Sequence, residues 1–260
     1  MIEVPRHDVR GITAANPGPF TLGGTNTWIA GRDPAWVVDP GPAMPAHLEA
    51  VAAEVRRRGG LGGIALTHDH ADHAAGVGAL RELLGNAPLA AARGTADLPL
   101  ADGGRAGPLE ALATPGHAPD HLAFLFGSAA FSGDAVLGTG SVFVAPGPGA
   151  MASYLAGLER LRARRPAVIC PGHGPLVNDA DAKLASYLAH RLERERRLVE
   201  ALAAGLRGTD EMLDAVWDDA PAPLRGAAAV TLAAHLDKLD AEGRLPPGVE
   251  RPAVGAPGEV

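Results

Sequence analysis

The chain carries one cysteine, Cys170, in 260 residues. An internal disulfide is therefore excluded, and the composition suits a reducing compartment. Lysine is nearly as scarce, since Lys183 and Lys238 are the only two. Beside the abundance of Ala, Gly and Pro, that bias reads as a coding preference and says little about function. Aromatics make up 4% of the residues, which leaves little with which to stack nucleobases. Trp28, Trp36 and Trp217 are expected in the core. No uninterrupted apolar run reaches the ~20 residues of a membrane span. The opening Met1-Ile2-Glu3-Val4-Pro5 has an acid and a proline early and no apolar leader segment, so a cytoplasmic protein is expected. Positive charge is also short, with a formal net charge of −7. A general nucleic-acid binder would be basic; here a polyanionic substrate would need a local basic patch or bound metal.

What is present is concentrated in seven residues. Thr67-His68-Asp69-His70-Ala71-Asp72-His73 holds three imidazoles and two carboxylates, the donors that zinc and similar divalent ions take. Gly62 to Thr67 reads as a short buried strand and Ala74 to Leu84 as a helix, so the cluster lies on a strand-to-helix loop. In extended backbone, residues two apart point the same way, so His68 and His70 can share one metal. Asp72 and His73 follow as the chain turns and can face a second. Three further residues, His117, Asp134 and His173, each follow a short apolar run that ends in a Gly-containing turn, which makes each a strand-end loop residue.

The rest of the pattern places these loops. Thr25–Ala30 and Ala35–Asp39 read as strands of a β-meander, and Pro45–Arg58 and Met151–Arg164 as amphipathic helices. Ala167–Cys170 is a strand that delivers His173. This order fits an α/β fold, a four-layer αβ/βα sandwich over residues 1–177. Residues 178–260 read as a long helix from Asp179 to Ala204, two shorter helices, and an extended segment at Gly243–Pro247 that suggests a winged-helix-like module. A Pro- and Gly-rich tail at 246–260 is expected to be partly disordered.

The pattern HxHxDH followed by a His, an Asp and a His resembles the metallo-β-lactamase fold superfamily. The resemblance implies a binuclear hydrolytic site. His68, His70 and His117 would hold the first metal, Asp72, His73 and His173 the second, and Asp134 would bridge both together with a hydroxide. Two zinc ions are implied, with manganese or iron possible. Secreted lactamases of this fold carry a cysteine where Asp134 stands, and flavodiiron proteins a Glu where His70 stands, so neither branch fits. Beyond the ligands, Thr25-Asn26-Thr27, Thr114-Pro115-Gly116-His117, Ser132-Gly133-Asp134, Pro171-Gly172-His173-Gly174-Pro175 and the helix through Ala182-Lys183 to His190-Arg191 resemble the β-lactamase-like-protein-2 subgroup. Its characterised members cleave single-stranded RNA.

The resemblance thus implies hydrolysis of RNA phosphodiesters first, with a glyoxalase II-like thioester hydrolase as the alternative. An iron-dependent sulfur dioxygenase and a non-catalytic binding protein come after these. Asp72 and Asp134 are the carboxylates assigned to the chemistry. His121 is a candidate for contacting substrate or donating to a leaving group, or for only fixing the loop beside the site. Asp39 is a candidate partner for a ligating His or a turn residue before Pro40-Gly41, and Asp69 a candidate for orienting a ligand or the hydroxide or for capping the loop. His7, His47 and His190 read as surface or helix residues, His235 as packing and Cys170 as a buried small hydrophobe. The Arg191–Arg197 run reads as a solvated helix face. The substrate, a small molecule or single-stranded RNA, would be met by loops around 138–149. A homodimer is the base-rate assembly.

Overall fold

The computed structural model describes residues 1–4, 6–94 and 96–253. The first half of the chain is a set of short β-branched and aromatic runs punctuated by Gly, Pro and Asp, and these become strands. Strands β1 (Ile2–Val4), β2 (Val9–Thr13), β3 (Asn26–Ala30) and β4 (Ala35–Val38) form an antiparallel meander. Helix α1 (Pro45–Arg57) then crosses to β5 (Leu61–Ala65), which pairs parallel with β4. Helices α2 (Ala71–Ala74) and α3 (Val77–Leu84) lead to β6 (Leu89–Ala91), and β7 (Leu98–Pro99) completes a seven-stranded sheet in sequence order.

The second sheet has the order β12-β11-β10-β9-β8. Its strands are β8 (Arg105–Ala106), β9 (Leu109–Ala113), β10 (Leu122–Phe126), β11 (Ala129–Gly133) and β12 (Val168–Pro171), with α4 (Ala150–Ala163) between the last two. Trp28, Trp36, Val38, Phe124, Phe131 and Cys170 fill the space between the sheets. The outer face of the first sheet is covered by Leu48, Val51, Val55 and Leu80 of α1 and α3. That of the second is covered by Tyr154 and Leu158 of α4 and by Leu184 and Tyr187 of α5 (Ala180–Ala203). The result is the expected αβ/βα sandwich. Both faces of its central strands are covered, which is why β3 and β4 are buried at every position.

Helix α5 opens on Asp179, whose carboxylate accepts the Ala182 N–H at 3.0 Å. At ~1.5 Å per residue, its 24 residues outreach the sheet. Its far half, through Leu198 and Leu202, packs with Met212, Leu213 and Val216 of α6 (Thr209–Val216) and with Leu232, Leu236 and Leu239 of α7 (Arg225–Ala241).

Three local expectations need correction. The expected helix over 74–84 is broken at Gly76, whose N–H bonds Gly41 O at 2.9 Å rather than a carbonyl of its own turn. A Cβ at Gly76 would lie 2.8 Å from Leu48 and 2.9 Å from Gly41 O, so only glycine allows the metal-motif turn to approach the β4 end. The expected wing does not form: no described residue after β12 is in a strand. Instead Arg244 N–H caps α7 on Leu239 O at 2.8 Å, its guanidinium holds Glu195 and Glu242, and Pro246 and Pro247 remove two donors. The Arg191–Arg197 run is not a solvated face throughout, because Arg191, Arg194 and Glu195 are buried between sheet and helical module while Arg196 is exposed. His47, expected as a surface or helix residue, lies in α1 on its buried face, its Nε2 2.8 Å from Thr27 Oγ1. The tail from residue 254 lies outside the described residues.

Candidate metal centre

The seven sequence-selected His and Asp residues come together at one edge of the sandwich. His68, His70, Asp72 and His73 follow β5, His117 lies between β9 and β10, Asp134 follows β11, and His173 follows β12. Asp72 and His73 lie in the short α2 and the other five in loops at strand ends, where a rigid sheet fixes a side chain that need not join the core.

The donor atoms are closely grouped. His70 Nδ1 and His117 Nε2 are 3.0 Å apart, and His73 Nε2 and His173 Nε2 are 3.3 Å apart. Asp72 Oδ2 is 3.3 Å from His173 Nε2, and Asp134 Oδ2 is 3.3 Å from His173 Nε2 and 3.6 Å from His117 Nε2. Three groups could hold an ion: His68, His70 and His117; Asp72, His73 and His173; and His68, His73 and Asp134, which spans the other two. Ligands ~2.1 Å from an ion stand ~3.4 Å apart at tetrahedral corners, so these separations suit ion binding.

Hydrogen bonds on the far side of the rings fix which nitrogen faces inward. Thr67 donates its hydroxyl to Asp39 Oδ2 at 2.8 Å and so is left to accept from His68 Nδ1 at 2.9 Å. His68 Nε2 then carries a bare lone pair, and it is buried with no partner. His73 Nδ1 donates to the same Asp39 Oδ2 at 3.0 Å, and His173 Nδ1 points at Gly24 O at 3.4 Å. All three rings thus present Nε2 to the cluster. Asp39 stands at the end of β4 with φ 52°, an uncommon conformation for a non-glycine residue. It is held there by its N–H on Ala65 O and by Thr67 N–H on its Oδ1. Thr25 donates to Asp72 Oδ2 at 2.9 Å, and Asn26 ties β3 to the His173 loop through Pro171 O and Gly174 O. A Cβ at Gly172 would lie 2.4 Å from Asp134 Oδ1 and 2.7 Å from His73, so the loop can pass behind the cluster only as glycine.

Charge is divided across the site. Burial, with neighbouring His73, His121 and His117, holds His68 well below the ordinary imidazole value. Burial brings His117 to about 4. These rings stay neutral and keep their lone pairs. At the other pole burial opposes charge, but Asp134 raises His73 well above its ordinary value and His173 to about 9. There too, burial notwithstanding, the hydrogen bond to His173 and the charge of His73 bring Asp72 to about 2. A carboxylate pair with inward imidazoles is a field that attracts cations.

His121 is not placed as its sequence position suggested. It is buried, its Nδ1 lies 2.8 Å from Thr114 Oγ1, and its Nε2 accepts the Asp134 N–H at 3.1 Å. Burial lowers it to about 3. With both ring nitrogens engaged inside the protein, it aims the Asp134 backbone rather than touching substrate.

A profile described as Metallo-beta-lactamase superfamily matches residues 20–100 and 97–173, which carry all seven donors. The chain belongs to the metallo-beta-lactamase superfamily. A Caenorhabditis elegans protein named beta-lactamase-like protein 2 homolog is 29% identical over 251 residues, covering 89% of this chain and 84% of that one. An atrochrysone carboxyl ACP thioesterase of Aspergillus novofumigatus is 30% identical over 209 residues, covering 75% and 63% respectively. Among solved structures, a metallo-beta-lactamase family protein from Thermus thermophilus is 25% identical with TM-score 0.71, covering 91% of this chain and 94% of that one.

As a superfamily hydrolase, the chain has a cavity beside the cluster of about 1100 Å³. Asp69, His70, Asp72 and His117 line one end; Leu137, Val142 and Phe143 of the α4 approach form the wall; Trp217, Leu224 and Ala228 of the helical module form the far end. Phe143 lies against His117 at 4.5 Å between ring centroids, and Phe20 meets Phe143 edge-on at 6.4 Å. Of the 138–149 region expected to meet substrate, residues 139–143 line this cavity. Sequence reasoning missed Phe20 and the cavity face of α5; His190, expected as a surface or helix residue, lies on that helix and lines the cavity. No helix is long and apolar enough to cross a membrane among the described residues.

Proposed function

We propose that the chain is a binuclear metal-dependent hydrolase of acyl compounds, thioesters foremost. The observation that carries this reading is the large, mostly apolar cavity that begins at the His/Asp cluster and ends on the helical module. An acyl chain fits such walls, whereas an RNA backbone needs free cations along its path. Among the described cations that line the cavity, Arg194 is committed to Val216 O and Asp219, which leaves Lys183 and Arg191 without a carboxylate, enough for one anionic group but not for a row of phosphates; the exposed Arg196 outside it is paired with Glu193 and Glu200. The thioesterase relative points the same way. The likeness to the beta-lactamase-like protein 2 homolog over most of the chain keeps single-stranded RNA as a second reading.

His68, His70 and His117 would hold one divalent ion and Asp72, His73 and His173 the other, with Asp134 between them. The bare inward Nε2 of His68 and the partnerless buried Asp134 Oδ1 fit such a pair. Zinc is proposed; manganese and iron accept the same donors. When bound, a pair of this kind supplies Lewis acidity and a hydroxide source near neutral pH. The chain's own part is orientation and exclusion. Asp39 and Thr67 lock two imidazoles, His121 locks the Asp134 backbone, and Phe20 and Phe143 keep bulk water from the carbonyl. Asp72 lines the cavity with its side chain 28% exposed; its Oδ2 is engaged by Thr25 and His173, so Oδ1 would be the oxygen left to face the cavity.

The test is thiol release from the hexanoyl thioester of N-acetylcysteamine by zinc-loaded protein, beside cleavage of a short unstructured RNA. Thioester turnover that is lost in His68→Ala is expected. RNA cleavage with no thioester turnover, equally lost in the variant, would transfer the assignment to the second reading.

A further inference from the structure

The cavity wall formed by α5 carries Lys183, Tyr187, Arg191 and Arg194, at positions i, i+4, i+8 and i+11 of one helix face. Arg194 is neutralised by Asp219 at 2.5 Å. The other two cations are not. Lys183 makes one hydrogen bond, to Gly138 O at 3.2 Å, and its ammonium lies 5.0 Å from the Tyr187 ring centroid. Arg191 is 2% exposed and spends Nη2 on Ser141 Oγ and Val142 O, while its Nε is buried without a partner. Among the described residues, neither has a carboxylate within ion-pair distance, although nearly every other arginine near the helical module has one.

An uncompensated guanidinium in the interior is costly, and its cost falls when an anion joins it. Burial lowers the Lys183 ammonium with no acid to offset it. Lys183 also stands close to the reacting end: the Gly138 carbonyl that it touches belongs to the residue whose N–H donates to His173 O at 2.8 Å. Of the other acids lining the cavity, Asp72 is engaged by Thr25 and His173, Asp134 belongs to the metal cluster and Asp219 is paired with Arg194, while Asp69 makes no ion pair with Lys183 or Arg191.

We propose that Lys183 and Arg191 form an anion subsite that makes the enzyme select acyl thioesters carrying a second negative group, a carboxylate or a phosphate, beyond the scissile carbonyl. The inference rests on the acyl-hydrolase reading and names its substrate class. Lys183 acts as a point charge able to follow the ligand; Arg191 is fixed by the 141–142 loop and sets the depth. The anion has two sources. It is a carboxylate at the end of the acyl chain, or a phosphate on the thiol portion of the kind that a phosphopantetheine arm carries.

The experiment compares three zinc-supported substrates: the butanoyl and succinyl thioesters of N-acetylcysteamine and the butanoyl thioester of phosphopantetheine. Wild type is expected to prefer one of the two anionic substrates over the neutral one, and which one identifies the source. In Lys183→Met the ratio of anionic to neutral kcat/KM falls at least about tenfold, mostly through KM, and Lys183→Arg restores much of it. Arg191→Gln lowers the same ratio. A separate readout needs no turnover: calorimetric binding of succinate and of phosphopantetheine to the chelated, metal-free chain, where one of the two binds wild type and weakens at least about tenfold in Lys183→Met. Loss of turnover on every thioester with this binding intact would overturn the acyl-hydrolase reading and leave the anion site. An unchanged ratio in Lys183→Met, or equal binding of both anions to wild type and variant, would overturn the anion site.

Discussion

At the residue scale, the centre depends on which nitrogen each imidazole turns inward. Asp39 decides this for two rings at once, accepting from His73 Nδ1 directly and from His68 through Thr67. Asp39→Asn is expected to weaken metal binding about 10–100-fold, read by competition with a chelating dye, while the fold persists by circular dichroism. Unchanged affinity would show that the rings are oriented by packing alone. Gly172→Ala is expected to do worse, since its Cβ would enter the space of Asp134 Oδ1 and His73. Its metal content after loading and dialysis should fall well below wild type. The His and Asp donors were legible in the sequence because they are chemically unusual at strand ends. Asp39 was half-legible, as a strand-end acid with an equally good turn reading. His121 was open between a reactive role and fixing its loop; Thr114 and the Asp134 backbone engage both its nitrogens, which only the structure shows.

At the scale of elements, the sheets read directly from their short apolar runs and turn residues, whereas the C-terminal segment did not. A glycine turn followed by prolines looks like a wing, yet Arg244 closes onto Glu195 and Glu242 and ends the chain's regular structure there. Likewise, the face of α5 that lines the cavity is set by the docking of α6 and α7, which periodicity alone does not reveal. Glu195 is the hinge of that docking. His235 nearby, Lys238 and Arg244 bring its carboxyl to about 2 despite burial. A lowered carboxyl contributes stability that is present above its unfolded value of ~4.3 and is lost as pH falls from there towards about 2. Glu195→Gln should therefore lose less thermal stability than wild type between pH 5 and pH 3. An equal loss in both would place the acid sensitivity elsewhere. Leu236→Ala, in the core of the same module, should cost about 2–5 kcal/mol in denaturant unfolding.

At the scale of the whole molecule, two sheets, a metal edge and a helical module enclose one cavity, and function belongs to their junction. Ions that bind only the folded arrangement stabilise it by mass action. Chelation is thus expected to lower the melting temperature of wild type and to leave that of His68→Ala nearly unmoved, as followed by differential scanning fluorimetry. The central claim is that two ions, held by these seven residues, support hydrolysis. It is tested most directly by titrating zinc into the metal-free chain while thiol release from an acyl thioester is recorded. The account predicts activity that rises to a plateau at two equivalents per chain and is absent throughout the titration of His68→Ala. Full activity before any zinc is added, or a plateau that His68→Ala reaches equally, would contradict it.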